Sequence, residues 1–543
     1  MESFNPAPEV GRPPTKDSIL WIILIALAAL LRLGPIASGL PYSDYIDEGH
    51  VLHPVIGILE SKSFDSSIYT YPPLTSYLTV AAIKGYAPFY RIFHHHSLWE
   101  DLPSEQDFHT DLGDHYDLLT PPEIIWLGRL VVAFLSLGTV IIAGALAKLL
   151  GGPRAGFLAI LFTAVCPALV SRGSNVIIDT PATFFVLTTF YFCQRLQLFT
   201  ASHKSAMRRG AAFAGLAAGL AFGAKYTVGS VFAAVLVTIL TRPLAKKSKA
   251  ILVMIAFAGW FTGIFCGVPG AILHPGKIVN EVLGVARAYQ TIQSADGYWS
   301  AAISRWEIGI PLIIMGLTGI SWMFWKTATR PTATAWITFA LLLLLTVGWS
   351  SFQPFRNLLS LVPPLCIASA LLCHQLAEYL EHPHHRLPFA SCFASGAILV
   401  VALSLAWSSG RHLQLRTSRI DTRVRAIDWL QQHALKDQTV LAIRELSFSP
   451  LEWKRIVARA TVVPWFAAYD LLERQRFDYI VTGEFDLRYA SDPNAWAAYR
   501  NRWQEKISAL SLQADFGALP TPVVPYLWRT NDERIVILKA NAP

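Results

Sequence analysis

The sequence predicts a polytopic α-helical membrane protein with a small α/β domain at its C-terminal end. Three observations predict it. Of 543 residues, 53% are hydrophobic and only 15% are charged, with a mean hydropathy of +0.40; an ordinary soluble domain carries roughly 25% charged residues. Apolar segments close to the roughly 20 residues that cross a bilayer recur along the chain. From residue 409 onward the composition changes, with charges every few residues. Disorder and collagen-like structure are excluded, because aromatics reach 12% and Gly and Pro follow no period.

Eleven candidate spans emerge, at roughly 18–34, 124–147, 155–171, 177–195, 210–224, 227–241, 251–272, 307–325, 333–349, 357–376 and 390–408. Arg12 and Lys16 before the first give it the look of a signal peptide. Ten further segments, and Arg32 at its outer end, predict a retained helix. With the N-terminal tail, 1–17, in the cytoplasm, the inner loops hold fifteen Lys and Arg, among them Lys148, Arg154, Arg208, Arg209, Lys246 and Lys247. The outer loop 35–123 holds only Lys62, Lys84 and Arg91 against thirteen carboxylates. That positive-inside asymmetry sets the orientation and puts 409–543 outside. The net charge of +8 therefore reflects membrane topology rather than nucleic-acid binding. No Asn-x-Ser/Thr sequon occurs, which fits a bacterial envelope protein.

Within the membrane domain, 18–408, two outer regions exceed a simple connection: 35–123 and 273–306. In the first, the amphipathic stretch 49–60 and the apolar run 74–90 are too short, and too polar on one side, to span, so both read as interfacial helices. In the C-terminal segment, Asp421 is placed to cap a helix through 422–435. Strand-like runs follow at Thr439–Ile443, Ala460–Val463, Tyr479–Thr482 and Ile535–Leu538, alternating with helical patterns near 465–475 and 494–510. Cys166, Cys193, Cys266, Cys366, Cys373 and Cys392 all lie in apolar stretches without CxxC spacing and read as buried thiols. His94, His95 and His96, with His109 and His115, fall in a His-rich insert, 91–120, that lacks metal-ligand spacing and reads as a solvated loop.

The informative charges are those at the outer helix ends, where ionisable groups are costly. Asp47 and Glu48 open the first loop, in Tyr45-Ile46-Asp47-Glu48-Gly49-His50. Arg129, Arg172, Asp179, Lys225 and Arg356 sit at the outer ends of later spans. Singly, each reads as a snorkelling cation or a helix cap. Together they set two carboxylates and several cations at one depth on one side, as a site for an anionic group with a general base requires. A sugar carried on an isoprenoid phosphate fits this pattern. Its phosphate leaves without a general acid when cations hold the developing charge, while the acceptor hydroxyl needs a carboxylate to take its proton.

Asp47-Glu48-x-His50, then Phe64-Asp65 and Tyr71-Pro72-Pro73-Leu74, resembles the first-loop signature of protein O-mannosyltransferases, Asp-Glu-x-His followed by Phe-Asp and His-Pro-Pro-Leu. Arg129-Leu130, the run Gly215–Gly229 with Lys225-Tyr226, and Arg356-Asn357-Leu358-Leu359 resemble later parts of the same GT-C superfamily, which includes the aminoarabinose transferases of lipid A. The resemblance covers roughly 18–380. It implies a GT-C fold and an inverting, polyprenyl-phosphate-dependent glycosyltransferase facing the periplasm or its equivalent. Asp47 then maps to the catalytic base, Glu48 to its neighbour and His50 to a secondary contact, while Tyr71, Pro72 and Pro73 shape a helix lining the site. Arg129, Lys225 and Arg356 are assigned to the lipid phosphate from depth and charge, with Arg172 and Tyr226 as further substrate contacts and Asp179 as a structural partner. The expected partners are a polyprenyl-phosphate-linked sugar, a lipid, glycan or protein acceptor, and membrane lipids.

Tyr71 departs from the eukaryotic His, and no segment resembles the lumenal β-trefoil of the eukaryotic enzymes, so a protein acceptor is not implied. No cofactor is required. A divalent metal is compatible with Asp47, Glu48 and His50 as ligand types but is not predicted. The competing expectation is a polytopic transporter or lipid-linked sugar flippase, although transporters place charges near the midplane and show repeats, neither of which is seen here.

Overall fold

The computed structural model describes residues 16–42, 47–66, 68–95, 120–200, 203–291, 298–304, 307–349, 353–381, 390–418, 420–443, 446, 448–463, 465–483, 501–503, 505, 507–508, 510–516 and 534–539. His96, His109 and His115, and most of the expected helix 494–510, lie outside them. The chain divides into two compact units, one of 1–36, 57–82 and 127–415, the other of 37–56, 83–126 and 416–543.

The first unit is helical, and each of the eleven apolar segments falls on a helix. In chain order these are Lys16–Leu33, Pro122–Val165, Asp179–Leu198, Lys204–Ala224, Val231–Leu240, Lys246–Gly267, Ile310–Trp325, Arg330–Val347, Val362–Glu381 and Ala390–Thr417, with two of the segments on Pro122–Val165. That stretch is two helices joined at Gly152, whose φ of 84° reverses the chain in Gly151-Gly152-Pro153. Glycine adopts this left-handed conformation without the penalty other residues meet. Gly144 and Gly156 pack against each other across the reversal, where a Cβ on Gly156 would lie 2.9 Å from the Gly144 carbonyl oxygen. The expected span 155–171 stops at Val165, because Pro167 cannot continue the ladder and instead starts a separate short helix, Pro167–Ser171. Among the described residues, four stretches are long and apolar enough to cross a membrane: Pro122–Val165, Lys246–Gly267, Arg330–Val347 and Phe355–Leu380; Ile19–Leu33, Tyr226–Leu240 and Ile310–Trp325 are shorter.

Two features lock these helices. Arg32, fully buried, donates to Ser136 Oγ at 2.8 Å and to the carbonyls of Ala28, Thr163 and Ala164 at 3.0–3.2 Å. It thereby ties the first helix to both limbs of the Gly152 reversal and sits at a helix C-terminus, where a cation is favoured. Lys204–Ala224 and Lys246–Gly267 meet along facing glycines, Gly215, Gly219 and Gly223 against Gly259, Gly263 and Gly267. A Cβ on Gly223 would lie 2.7 Å from Gly267 Cα, and one on Gly219 2.8 Å from Gly263 Cα. Small residues at this spacing let backbones approach where lipid gives no hydrophobic drive. Cys166, Cys193, Cys366 and Cys373 are buried free thiols, whereas Cys266 is exposed, a correction to the buried reading.

Residues 35–123 contain helices Glu48–Ser61 and Leu74–His94; the helix of the expected span 251–272 ends at Gly267, and Gly270–Leu273, Pro275–Thr291 and Tyr298–Ile303 follow it. In the second unit, strands β1 (Thr439–Ile443), β2 (Arg459–Val463), β3 (Tyr479–Gly483), β4 (Ser511–Phe516) and β5 (Ile535–Lys539) form one sheet in the order β2-β1-β3-β5-β4. β1 pairs in parallel with β2 and β3, and β5 antiparallel with β3 and β4. Helix Thr422–His433 begins at Asp421, whose carboxylate accepts the Arg423 N–H at 2.8 Å, and its Ala426, Ile427 and Leu430 join Val440, Leu441 and Ile480 in the core.

Candidate active site

Of the residues expected at the site, Asp47, Glu48 and His50 lie in the second unit and the others in the first. Glu48 is the first residue of helix Glu48–Ser61 and fully buried; Asp47, just before it, is 9% exposed. Carboxylates are favoured there, beside the positive end of the helix dipole. Two residues on, His50 is half-buried and neighbours His53, whose pKa is lowered by burial and then by His50. The helix thus starts with two sequestered carboxylates and continues to an imidazole, His53, that stays neutral further into acid.

In the first unit, the loop beyond that helix is held by hydrogen bonds across more than two hundred residues. Glu281, on Pro275–Thr291, accepts the Tyr69 N–H at 2.5 Å and the Thr70 hydroxyl at 3.3 Å. Tyr69 donates its phenol to Asp65 at 2.5 Å, His274 approaches the same carboxylate at 3.2 Å, and Tyr226 donates to the Tyr69 carbonyl at 3.1 Å. Lys277 lies 5.9 Å from the centre of the Tyr69 ring. Tyr77 donates to the Phe64 carbonyl at 2.7 Å, and burial, then the Asp65 charge, pushes its phenol up to about 12. Burial and the Asp65 hydrogen bond raise Tyr69 likewise, so both phenols are donors at neutral pH. Tyr71 is half-buried, and Pro72 and Pro73 are buried immediately before helix Leu74–His94.

Two buried polar groups fix the spans nearby. Lys225 follows the close-packed helix Lys204–Ala224 and donates to Asp179 at 2.5 Å and to Asn357 Oδ1 at 2.8 Å; Asn357 in turn donates to the Tyr298 phenol at 3.2 Å. Arg172 binds Glu307 with two parallel bonds of 2.6 Å, both groups being at most 5% exposed, and its guanidinium lies 5.6 Å from the Phe355 ring centre. Arg129 is fully buried and donates to the Ile36 carbonyl at 3.1 Å, while Arg356 is half-buried.

The structure thus joins Lys225 to Asp179, brings Tyr226 to Tyr69, and gives Arg172 a partner that the sequence reading did not name. Glu281 and Tyr298 escaped that reading because each sits in the second long outer region, 273–306, where a lone polar residue looks like surface, and Glu307 because it stands alone at the first residue of the expected span 307–325. One signal points to Glu281: 180–280 contains no Asp or Glu, so the first acid after Asp179 is the one that receives the distant loop.

Residues 123–267 match the family model described as dolichyl-phosphate-mannose-protein mannosyltransferase. The match takes in Arg129, Arg172, Asp179, Lys225 and Tyr226 and excludes the Asp47-Glu48 motif. No curated protein matches the chain by sequence. Among solved structures, ArnT from Cupriavidus metallidurans bound to undecaprenyl phosphate aligns with a TM-score of 0.53 at 13% identity, over 96% of this chain and 98% of that one. The fold is the GT-C fold. The apo state of the same ArnT aligns at 0.50 over 95% of this chain and 97% of that one, again at 13% identity. The Archaeoglobus fulgidus oligosaccharyltransferase, at 13% identity, covers 86% of this chain and 69% of that one with a TM-score of 0.47. The GT-C resemblance drawn from the first-loop motif therefore agrees with the family model over part of the chain and with the fold over nearly all of it.

Proposed function

We propose that this chain is an inverting glycosyltransferase that moves a sugar from a polyprenyl-phosphate donor to a hydroxyl on a lipid, glycan or protein at the outer face of a membrane. Eleven spans carry it, with the N-terminus in the cytoplasm and 409–543 outside, in a bacterial inner membrane or its equivalent. The observation that supports this reading is the pair of sequestered carboxylates, Asp47 and Glu48, opening a first-loop helix in a chain of GT-C fold. The acceptor oxygen attacks the anomeric carbon from the side opposite the phosphate, Asp47 takes its proton, and the carbon–oxygen bond to the phosphate breaks with its electron pair going to the polyprenyl phosphate. Inversion follows from that single displacement. Glu48 and His50 orient the acceptor or sugar, and Tyr71, Pro72, Pro73 and Tyr226 shape the surface around it.

Arg129, Lys225 and Arg356 hold the departing phosphate. An ammonium has three donors, and Asp179 and Asn357 take two of those on Lys225, which aims the third. Arg172, matched by Glu307, serves as a frame for the neighbouring 3-10 turn Phe355–Leu361 that carries Arg356. The test is release of polyprenyl phosphate from a panel of synthetic undecaprenyl-phosphate sugars by purified, detergent-solubilised protein supplied with envelope extract as acceptor. Release by wild type and at least about a hundredfold less by Asp47→Asn is expected, general-base catalysis contributing 10²–10⁴-fold. Wild-type release by Asp47→Asn removes Asp47 as base. No release with any donor, from folded protein, moves the reading to transport.

A further inference from the structure

In the second unit, Tyr42, five residues before Asp47, is gripped by the segment that begins the C-terminal region. Tyr42 is 1% exposed, and its ring centre lies 3.6 Å from the guanidinium carbon of Arg423, itself 2% exposed. That guanidinium is held edge-on by Asp421, Nε to Oδ1 at 2.9 Å and Nη2 to Oδ2 at 2.6 Å, while the same carboxylate caps helix Thr422–His433 through the Arg423 N–H. The Tyr42 oxygen accepts the Ser449 N–H at 3.4 Å. The ring therefore stacks on a cation whose own position is fixed by a bidentate pair and a helix start, the planar-on-planar contact that Arg makes and Lys does not. Burial raises the Tyr42 pKa, so the ring stays neutral beneath the cation.

Tyr42 stands five residues before Asp47, at most about 17 Å of chain even when fully extended. We infer that the Tyr42–Arg423–Asp421 stack is a clamp by which the C-terminal region positions Asp47 for proton abstraction. The inference rests on the reading of Asp47 as base, and it gives residues 416–543 a task in the reaction. Tyr42 is a positioning residue: it touches no reacting atom and acts through the backbone that carries the carboxylate. A buried ring removed from this stack frees the segment that sets Asp47, and misplacement by about 1 Å lowers turnover on the order of a hundredfold.

The experiment compares Tyr42→Leu, Tyr42→Phe, Arg423→Met and Asp47→Asn in the full-length, detergent-solubilised protein. It measures undecaprenyl phosphate release from undecaprenyl-phosphate-linked mannose, aminoarabinose and galacturonic acid, together with hydrogen exchange of residues 47–56. Tyr42→Leu is expected to lower kcat about a hundredfold with the donor KM unchanged, to speed exchange in 47–56 and to leave exchange in β1 and β3 as in wild type. Tyr42→Phe, which keeps the stack, restores both. Arg423→Met repeats the leucine result from the other side of the contact. Wild-type kcat and wild-type exchange in 47–56 for Tyr42→Leu overturn the clamp. If that variant does not fold, the same readings on Arg423→Met decide; if neither folds, the stack is structural alone and the inference fails. Failure of the transfer reading looks different: wild type then releases nothing, or Asp47→Asn releases as wild type does, while exchange in 47–56 still reports on the clamp.

Discussion

Gly219→Ala tests the glycine seam between helices Lys204–Ala224 and Lys246–Gly267. The added methyl would overlap the Trp260 carbonyl oxygen and stand 2.8 Å from both Gly263 Cα and Ile264 N, where real Cβ contacts keep at least 3.0 Å. All three obstacles are backbone, so no side chain can rotate away and the helices themselves must part. Overpacking of this kind costs typically about 1–3 kcal/mol, and a backbone obstacle puts it near the upper end. Against that, alanine in a helix interior gains up to about 1 kcal/mol over glycine, leaving a net loss of about 2 kcal/mol. Gly284→Ala is the matched control: nothing lies within 4 Å of its Cβ, on helix Pro275–Thr291, so only the gain of about 1 kcal/mol remains. Thermal unfolding in detergent should thus move down for Gly219→Ala and up for Gly284→Ala. Adding Gly263→Ala to the first should cost less than it does alone, because the two glycines face each other and the helices have already parted. Equal or raised stability for Gly219→Ala would refute the close approach.

The remaining predictions concern the buried charges. Glu307→Gln keeps the shape but leaves Arg172 buried without its counter-charge; removing one partner of such a pair costs about 3–5 kcal/mol, and a joint Arg172→Met, Glu307→Leu change should recover most of it in the same unfolding assay. Asp179→Asn should raise the donor KM, because Lys225 then keeps only its bond to Asn357 and loses the shorter of the two contacts that aim it; an unchanged KM and kcat would show that Lys225 takes no part. For His53 the folded pKa lies below the ordinary value, so the native state resists protonation that the unfolded chain accepts. Stability is full above roughly pH 6.5 and declines as the pH falls below it. Unfolding at pH 7.5 and 5.5 should show a smaller acid loss for His53→Gln than for wild type.

Apolar length located the helices, because twenty residues without charge leave a segment little choice of solvent. What packs on what was not legible: Gly215, Gly219 and Gly223 form a visible run, yet nothing in the spacing names Gly259, Gly263 and Gly267 as the opposite face. Asp179 read as a partner for cations, and Lys225 is the cation it meets; Glu307 was hidden, since a single acid beside a long outer region has no local pattern. Strand β4 escaped because Ser511-Leu512-Gln513-Ala514-Asp515-Phe516, although it alternates polar and apolar, contains no β-branched residue, and in the structure a register shift between Leu512 and Ala514 leaves Leu512 exposed. The Asp47-Glu48 motif was legible for the opposite reason. Acids at the first turn of a short amphipathic helix are a purely local pattern.

The second unit is assembled from three separate stretches of chain, and its Arg423 rests on a ring that arrives from residue 42. An excised piece starting at 416 would carry a buried guanidinium with one face stripped bare. Swapping this region between relatives as a cassette therefore requires transplanting 37–56 with it, and a successful graft would be one cut along the contacts rather than along the numbering.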